Sequence, residues 1–401
     1  SIQRYFNDFE AVFNSISIEG FKEAESLIPL SSSGSIANGS HRVASAFKLN
    51  KEVPSVLLKM PDDNYDFKFF LKRGMCKRDI ETGVTSFIEF AENCYVALLW
   101  PSAKGHKKEL YNLIPNIVYQ KNVALNHLGA HNLISQVYCD ENWLGKREEG
   151  YPGVKNKLVE CFKTFDDLTV VAFQSSSLRE VKLIKENIRR MFSIGKHSVH
   201  ITDTKDEAIR IARILFNENS IHFLNYGDPN KYLSVHKKIE RFKKFIKKNN
   251  IDLDKTVLDS SIVMTLYGIR ECNDIDFLAV KENIKHYDEI IDNHQNELVF
   301  HQESKNSLIL NQKLYFYYDD LKFISFSQLY KMKKNRLEKK DNNDLILMKS
   351  LIEKNLMRMF IGKCKQEYYF FTVKLRIKAI KFLKHLGLYR TIRYIYRVFK
   401  K

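Results

Sequence analysis

Apolar residues at Tyr5, Phe6, Phe9, Val12 and Phe13 recur three and four apart, which predicts an amphipathic helix at the front of the chain. Strand-like runs come next at 26–30 and 53–59, and between them Gly34 to Phe47 reads as a turn, a strand end and a helix start. From about 91 to 235, strand-length apolar runs at 94–100, 169–173, 198–202 and 221–225 alternate with helical patterns at 178–192 and 205–216. Strands and helices alternating at these spacings predict a parallel sheet covered by helices. Gly227-Asp228-Pro229 interrupts the pattern, and a lysine-rich helix at 233–248 bridges to the next domain. Residues 250–360 hold an apolar helix at 260–266, a strand at 275–280, strand candidates at 297–301 and 314–318, and a charged helical region at 327–354. The expected fold is multidomain α/β: a small mixed unit at 1–90, a parallel-sheet middle domain at 91–235, a further α/β domain at 236–360 and a tail at 361–401.

Composition changes this picture little. With 401 residues, 44% hydrophobic, 28% charged and only 7 Pro, the chain is long enough for two or three cores and has no low-complexity segment. Charge changes it more. The net charge is +17, and ten Lys or Arg with no Asp or Glu fall within 373–401. Such a concentration points to local contact with an anionic surface, not to a chain built for nucleic acid. Lys374, Lys378 and Lys381 lie at helical spacing opposite Ile377 and Ile380; beyond Gly387, Arg390, Arg393 and Arg397 do the same beside Ile392, Ile395 and Phe399. Two short cationic amphipathic helices of this kind would lie on an anionic membrane face; the protein's own acidic surface or a nucleic-acid backbone are the alternatives. No apolar run approaches the roughly 20 residues that span a bilayer. The six cysteines (76, 94, 139, 161, 272, 364) form no Cys-x-x-Cys pair and no compact Cys/His cluster, so they are expected to be buried thiols in a reducing cytoplasm. The first residues lack the order of a signal peptide, and with Ser1 in place of Met the expectation is that some sequence upstream is absent.

In Asn273-Asp-Ile-Asp-Phe-Leu-Ala-Val280, strand alternation sets Asp274 and Asp276 on one face and Ile275 and Phe277 on the other. Two carboxylates a pleat apart suit Mg2+, which takes oxygen ligands from one or two carboxylates and from the phosphates of its nucleotide. Alone, Asp-x-Asp more often marks a solvated strand edge, so its neighbours matter. Upstream, Leu258-Asp-Ser-Ser-Ile-Val-Met-Thr-Leu-Tyr-Gly268 ends one element and opens a helix, offering small side chains and N–H groups to a phosphate. Downstream, Lys331 to Asp344 supplies dense cationic donors. These residues resemble the nucleotidyltransferase superfamily of the polymerase-beta type over about 250–360, whose core pairs a Gly-Ser-like turn and helix with an Asp-x-Asp strand, and whose minimal bacterial members often add a Lys-Asp-x-x-Asp helix. The resemblance implies that Asp274 and Asp276 are catalytic and metal-binding. It implies that Ser260, Ser261, Arg270, Lys333, Arg336 and Lys340 bind the nucleotide, with Asp341 and Asp344 on the supporting helix. The chain departs from the family in two places. Asp259-Ser260-Ser261 stands where Gly usually precedes the serine, and the third acidic residue has three candidates, Glu297, Asp319 and Asp320.

Nearer the front, Ile36-Ala-Asn-Gly-Ser-His-Arg-Val-Ala-Ser-Ala-Phe47, followed by Val53 to Leu58, resembles the ParB/sulfiredoxin-type fold over about 15–75. Gly39 allows a tight turn, and His41 and Arg42 stand at a helix N-terminus, where dipole and guanidinium both favour an anion. The resemblance implies nucleotide binding by Gly39, His41 and Arg42 and, in a kinase version, a general base among Glu19, Glu23 and Glu25. The plainer reading is a capped and solvated helix start. A further segment, Ser193 to Thr204, sets Lys196, His197 and His200 before a helix start, as an anion or sugar-phosphate site or merely as neighbours of a Thr202 or Thr204 cap.

Together these readings lead to a Mg2+-dependent enzyme that uses ATP or another nucleoside triphosphate to nucleotidylate or phosphorylate a small or sugar-linked acceptor. Its expected setting is capsule or other bacterial surface-glycan synthesis, in the cytoplasm and peripheral at the inner face of the membrane. Two alternatives stand beside it: an ATP-dependent ligase that forms an amide through an acyl-adenylate, and a ParB-like nucleotide- or DNA-binding module without turnover.

Overall fold

The computed structural model describes residues 2–23, 26–62, 65–280, 284–389 and 391–392. It is a mixed α/β protein with two compact units, 1–75 and 76–401. In the first unit α1 (Ile2–Glu19) precedes β1 (Ile28–Leu30), α2 (Ser40–Lys48), β2 (Ser55–Leu57) and α3 (Phe67–Lys72). The two strands pair in parallel, Pro29 opposite Val56, so the chain must cross over between them, and α2 lies in that crossover. Gly39 makes its entry turn at φ 93°, where an added Cβ would sit 2.6 Å from Ile28 Cδ1. Only glycine fits there.

The second unit opens with α4 (Lys77–Phe90), β3 (Cys94–Leu99), α5 (Lys107–Leu113), β4 (Ile117–Val123), α6 (His127–Val137), α7 (Val154–Cys161), β5 (Leu168–Gln174), α8 (Leu178–Phe192) and β6 (Val199–Ile201). Its strands form one sheet in the order β4-β5-β3-β6. Every neighbouring pair is antiparallel, with Val171 between Ala97 and Gln120, and Ala97 also opposite Ile201. The parallel sheet expected over 91–235 is therefore corrected to an antiparallel one. β3 and β4 do run parallel, joined through α5, as do β5 and β6, joined through α8. Each pair is split by a strand of the other, as in the split β-α-β units of ferredoxin-like domains, here with α6 and α7 inserted between β4 and β5. The alternation along the chain is the same in both architectures; the order of pairing is not written in the period. Leu110 of α5, Ile114 just after it, and Val181 and Ile188 of α8 cover Ala97 and Phe173 in a buried core.

Next come α9 (Lys205–Leu215), α10 (Glu218–Tyr226) and α11 (Ser234–Lys248). Thr204 accepts the Glu207 N–H at 3.2 Å, so it caps α9. The strand expected at 221–225 is a helix. Asn217 caps it by accepting the Ser220 N–H at 3.0 Å, and Phe223 and Leu224 are buried; a helix buried on several sides loses the one-sided apolar stripe. Phe223 stacks on Phe316 at 4.7 Å, which ties α10 to the second sheet.

That sheet is built from β7 (Thr256–Asp259), β8 (Ile275–Ala279), β9 (Ile291–Asn293), β10 (Tyr315–Tyr318) and β11 (Leu321–Ile324), with α12 (Ser261–Leu266), α13 (Leu298–His301) and α14 (Lys305–Leu310) between them. The order is β10-β11-β7-β8-β9. β11 is parallel to β7, β7 antiparallel to β8, and β8 parallel to β9. Asp319 and Asp320, both at positive φ (53° and 60°), make the two-residue turn of the β10–β11 hairpin. The strand expected at 297–301 is replaced by a short turn and α13, a run too short for its period to show. Closing the chain are α15 (Phe326–Arg336), α16 (Lys339–Ile352) and α17 (Leu356–His385). The tail's first expected helix belongs to α17, one helix of 30 residues, while Arg390, Arg393 and Arg397 lie outside the described residues. Among the described residues no helix is long and apolar enough to cross a membrane. Cys94, Cys161 and Cys272 are buried thiols as expected, whereas Cys76 and Cys364 are exposed.

Candidate functional site

Three adjacent strands bring acidic residues into register. Asp259 is paired with Asp276, and Asp276 with Asp292. Residues paired in this way point to the same face, about 5 Å apart, and Asp274, two residues before Asp276, shares it. Asp274 and Asp292 are exposed and Asp276 is half-buried, whereas Asp259 is fully buried. The two serines of the preceding turn serve these carboxylates. Ser261 Oγ donates to Asp274 Oδ1 at 3.1 Å, and the Ser260 hydroxyl bonds Asp276. Ser260 itself adopts φ 62°, ψ −129°, a conformation that glycine takes freely and other residues seldom do. The Asp259 carboxylate accepts the Ser260 N–H at 2.6 Å.

Burial pushes the Asp276 carboxyl up to about 6; His294 opposes this, and Asp274 and Asp259 reinforce it. Burial acts on Asp259 as well, yet His301 and His294 hold it well below the usual carboxylate range. Asp259 Oδ2 accepts from His294 Nδ1 and His301 Nε2, each at 2.8 Å. Ligand-type atoms of these three residues lie within 4.8 Å of one another, a spacing that would also suit a metal. Gln328 argues for the hydrogen-bonded reading. Its Nε2 donates to the His301 carbonyl at 2.9 Å and lies 3.3 Å from His301 Nδ1, so Nδ1 is the acceptor and Nε2 carries the proton given to Asp259. For His294, burial would lower the pKa, but the hydrogen bond and charge of Asp259, with help from Asp276, raise it. Among the described residues nothing bonds its Nε2.

The cations expected to hold phosphate are bound to carboxylates instead. Arg270 forks onto Asp344 at 2.8 and 3.0 Å. Lys333, only 1% exposed, bridges Asp344 at 2.7 Å and Asp341 at 3.2 Å. Arg336 grips Asp341 through two contacts of 2.9 Å, and the partly exposed Lys340 pairs with Glu338 at 3.0 Å. This network anchors the loop that carries Arg270 and leads to Asp274 onto α15 and α16. Removing one partner from such a buried set strands a charge, at a cost on the order of 3–5 kcal/mol. Of the candidates for a third acid, Glu297 accepts from Arg336 at 3.3 Å. Asp319 and Asp320 sit in the hairpin turn of the opposite edge strand, Asp319 bound by Lys243 at 3.0 Å. Asp292, which no motif marked, is the acid in register.

No protein-family model matches the chain, and no curated protein or solved structure does. The site therefore rests on its own geometry.

In the N-terminal unit, Gly39, His41 and Arg42 do come together, lining a cleft of about 550 Å³ with Tyr65 and Phe70. His41 stands edge-on to Phe9 at 5.2 Å. Of the three glutamates considered as a base, Glu19 pairs with Lys22 at 2.8 Å, Glu23 is exposed and Glu25 lies outside the described residues.

Proposed function

We propose that the carboxylate face of the second sheet is the magnesium site of a transferase, which passes a nucleotidyl or phosphoryl group from ATP or another nucleoside triphosphate to a small or sugar-linked hydroxyl. One observation carries this reading. Asp274, Asp276 and Asp292 share a face, and among the described residues no Lys or Arg pairs with any of them. An all-oxygen donor set of this kind, half open to solvent and without a paired Lys or Arg, fits Mg2+. Asp274 and Asp276 would hold the ion, with Asp292 in register on the neighbouring strand, and a bound ion would neutralise phosphate charge. The chain's own residues do the rest. Ser260 and Ser261 orient the carboxylates. His294 has its ring and tautomer fixed by Asp259, which leaves Nε2 to take the proton of the acceptor hydroxyl as that oxygen attacks phosphorus. The leaving group is pyrophosphate in nucleotidyl transfer and the nucleoside diphosphate in phosphoryl transfer.

The test is a screen for pyrophosphate and ADP release by the full chain with the four nucleoside triphosphates and pooled hydroxyl acceptors. Asp274→Asn and Asp276→Asn are each expected to lower turnover by about 10²-fold or more. Turnover unchanged in both variants would reject the site, and ADP release surviving in both would move the chemistry to the cleft at Gly39, His41 and Arg42.

A further inference from the structure

A cleft of about 670 Å³ opens between the α6–α7 insertion and the α8–β6 side of the ferredoxin-like sheet. It shares no lining residue with the carboxylate face, and its size is that of a small-molecule site. Its walls are cationic. Lys157 from α7, Lys185 and Arg189 from α8, and Lys196 from the turn after α8 converge on it. Some of this charge is neutralised locally: Lys185 bonds Asp203 at 2.9 Å, Arg189 bonds Glu186 at 2.7 Å, and Glu141 and Glu160 lie in the lining. The remainder is not. Lys157 is only 8% exposed and donates to the neutral Lys196 carbonyl at 2.9 Å. Neither Lys157 nor Lys196 pairs with a carboxylate among the described residues. Arg189 Nε and His197 Nδ1 are buried polar atoms with no hydrogen-bond partner, a condition native proteins seldom leave unrelieved. Burial lowers the pKa of both Lys157 and His197, and the nearby Lys196 pushes each further down, as expected where positive charge lacks a counterion.

An aromatic wall stands beside this charge. Tyr138 is pinned by stacking on Trp100 at 6.5 Å, by the His200 ring at 5.1 Å and by the Lys157 ammonium at 5.3 Å. Trp143 packs on Tyr138 at 5.2 Å and is still 46% exposed, so indole surface remains open to the cleft. Basic donors for an anion and an open indole for a ring are two halves of one recognition site.

We propose that this cleft binds a small phosphorylated ligand, with its phosphate held by Lys157, Arg189 and Lys196 and its ring laid on Trp143. The experiment is isothermal titration of the full chain with inorganic pyrophosphate, glucose 1-phosphate, UMP and sulfate, in EDTA so that no divalent ion loads the carboxylate face. Lys196→Ala and Arg189→Ala are expected to weaken pyrophosphate binding by about tenfold each. Trp143→Ala should weaken the ring-bearing ligand and spare pyrophosphate. Tighter binding of glucose 1-phosphate than of UMP identifies the ring as a sugar, and the reverse order identifies it as a base. No binding by any phosphate probe, sulfate binding as tightly as pyrophosphate, or affinities untouched in both cation variants would overturn the proposal.

Discussion

Asp276 lies half-buried beside two other carboxylates, and burial, opposed by His294 and reinforced by Asp274 and Asp259, raises its pKa from 3.8 to about 6. The folded chain therefore takes up this proton more readily than the unfolded chain does. Stability gained from the proton is fully present below pH 3.8 and is lost as the pH rises through about 6. Near neutrality the ionised side chain then works against folding, by up to about 3 kcal/mol. Asp276→Asn is accordingly expected to melt a few degrees above the wild type near neutral pH in EDTA, with the gap closing towards about pH 4. Millimolar Mg2+ should raise the wild-type melting temperature and not the variant's, and its affinity should fall below about pH 6 as the carboxyl protonates. Scanning calorimetry reads all of this, and a variant no more stable than the wild type in EDTA would show that Asp276 bears no uncompensated charge. Asp274 and Asp276 were legible in the sequence because a strand's period of two marks a face. Asp292 was not, since β9 has only three residues, and the link from Asp259 to His294 spans 35 positions.

At the scale of elements, the turn from β7 into α12 is held in a strained backbone shape. Ser260 adopts φ 62° and ψ −129°, a conformation that glycine takes freely and other residues seldom do. Such backbone strain costs on the order of 1–3 kcal/mol and persists where the surroundings impose it. In this turn the next residue, Ser261, bonds Asp274 at 3.1 Å. Ser260→Gly is therefore expected to be at least as stable as the wild type and to retain turnover. Ser260→Val, β-branched at positive φ, should lose about 2–3 kcal/mol in urea unfolding. Equal losses in the two variants would mean that the Ser260 hydroxyl, and not the backbone, matters. The same scale explains which parts of the fold the pattern missed. Helix and strand periods placed α8, α9, β3, β5 and β8, but the period of an element does not say which neighbour it pairs with. The split pairing of the first sheet was invisible for that reason. A buried helix such as α10, apolar on more than one side, looks like a strand until its Asn217 cap is considered.

For the whole molecule, the excess of positive charge and the form of α17 belong together. Gly362 is packed so closely that a Cβ there would lie 2.8 Å from Leu347 Cδ2, so the early turns of α17 lie on α16. Further along, Phe371, Leu375 and Phe382 are exposed on the same helix as exposed Lys378, Lys381 and Lys384. A helix that leaves apolar side chains in water beside lysines gains by lying at an anionic lipid surface, where each basic residue adds about 1 kcal/mol and the apolar side chains leave water. Sedimentation with phosphatidylglycerol vesicles tests this, since charge and apolar contact respond differently to lipid and salt. Lys378→Glu, Lys381→Glu and Lys384→Glu together are expected to weaken binding by about 100-fold or more, and added salt should weaken the wild type in the same direction. Equal binding to neutral phosphatidylcholine vesicles would assign the contact to the apolar side chains alone. Binding to neither kind of vesicle would mean that the cationic helix is meant for a protein partner. The charge variant retains Gly362 and the α16 contact, so a loss of binding without a loss of melting temperature separates the surface from the fold.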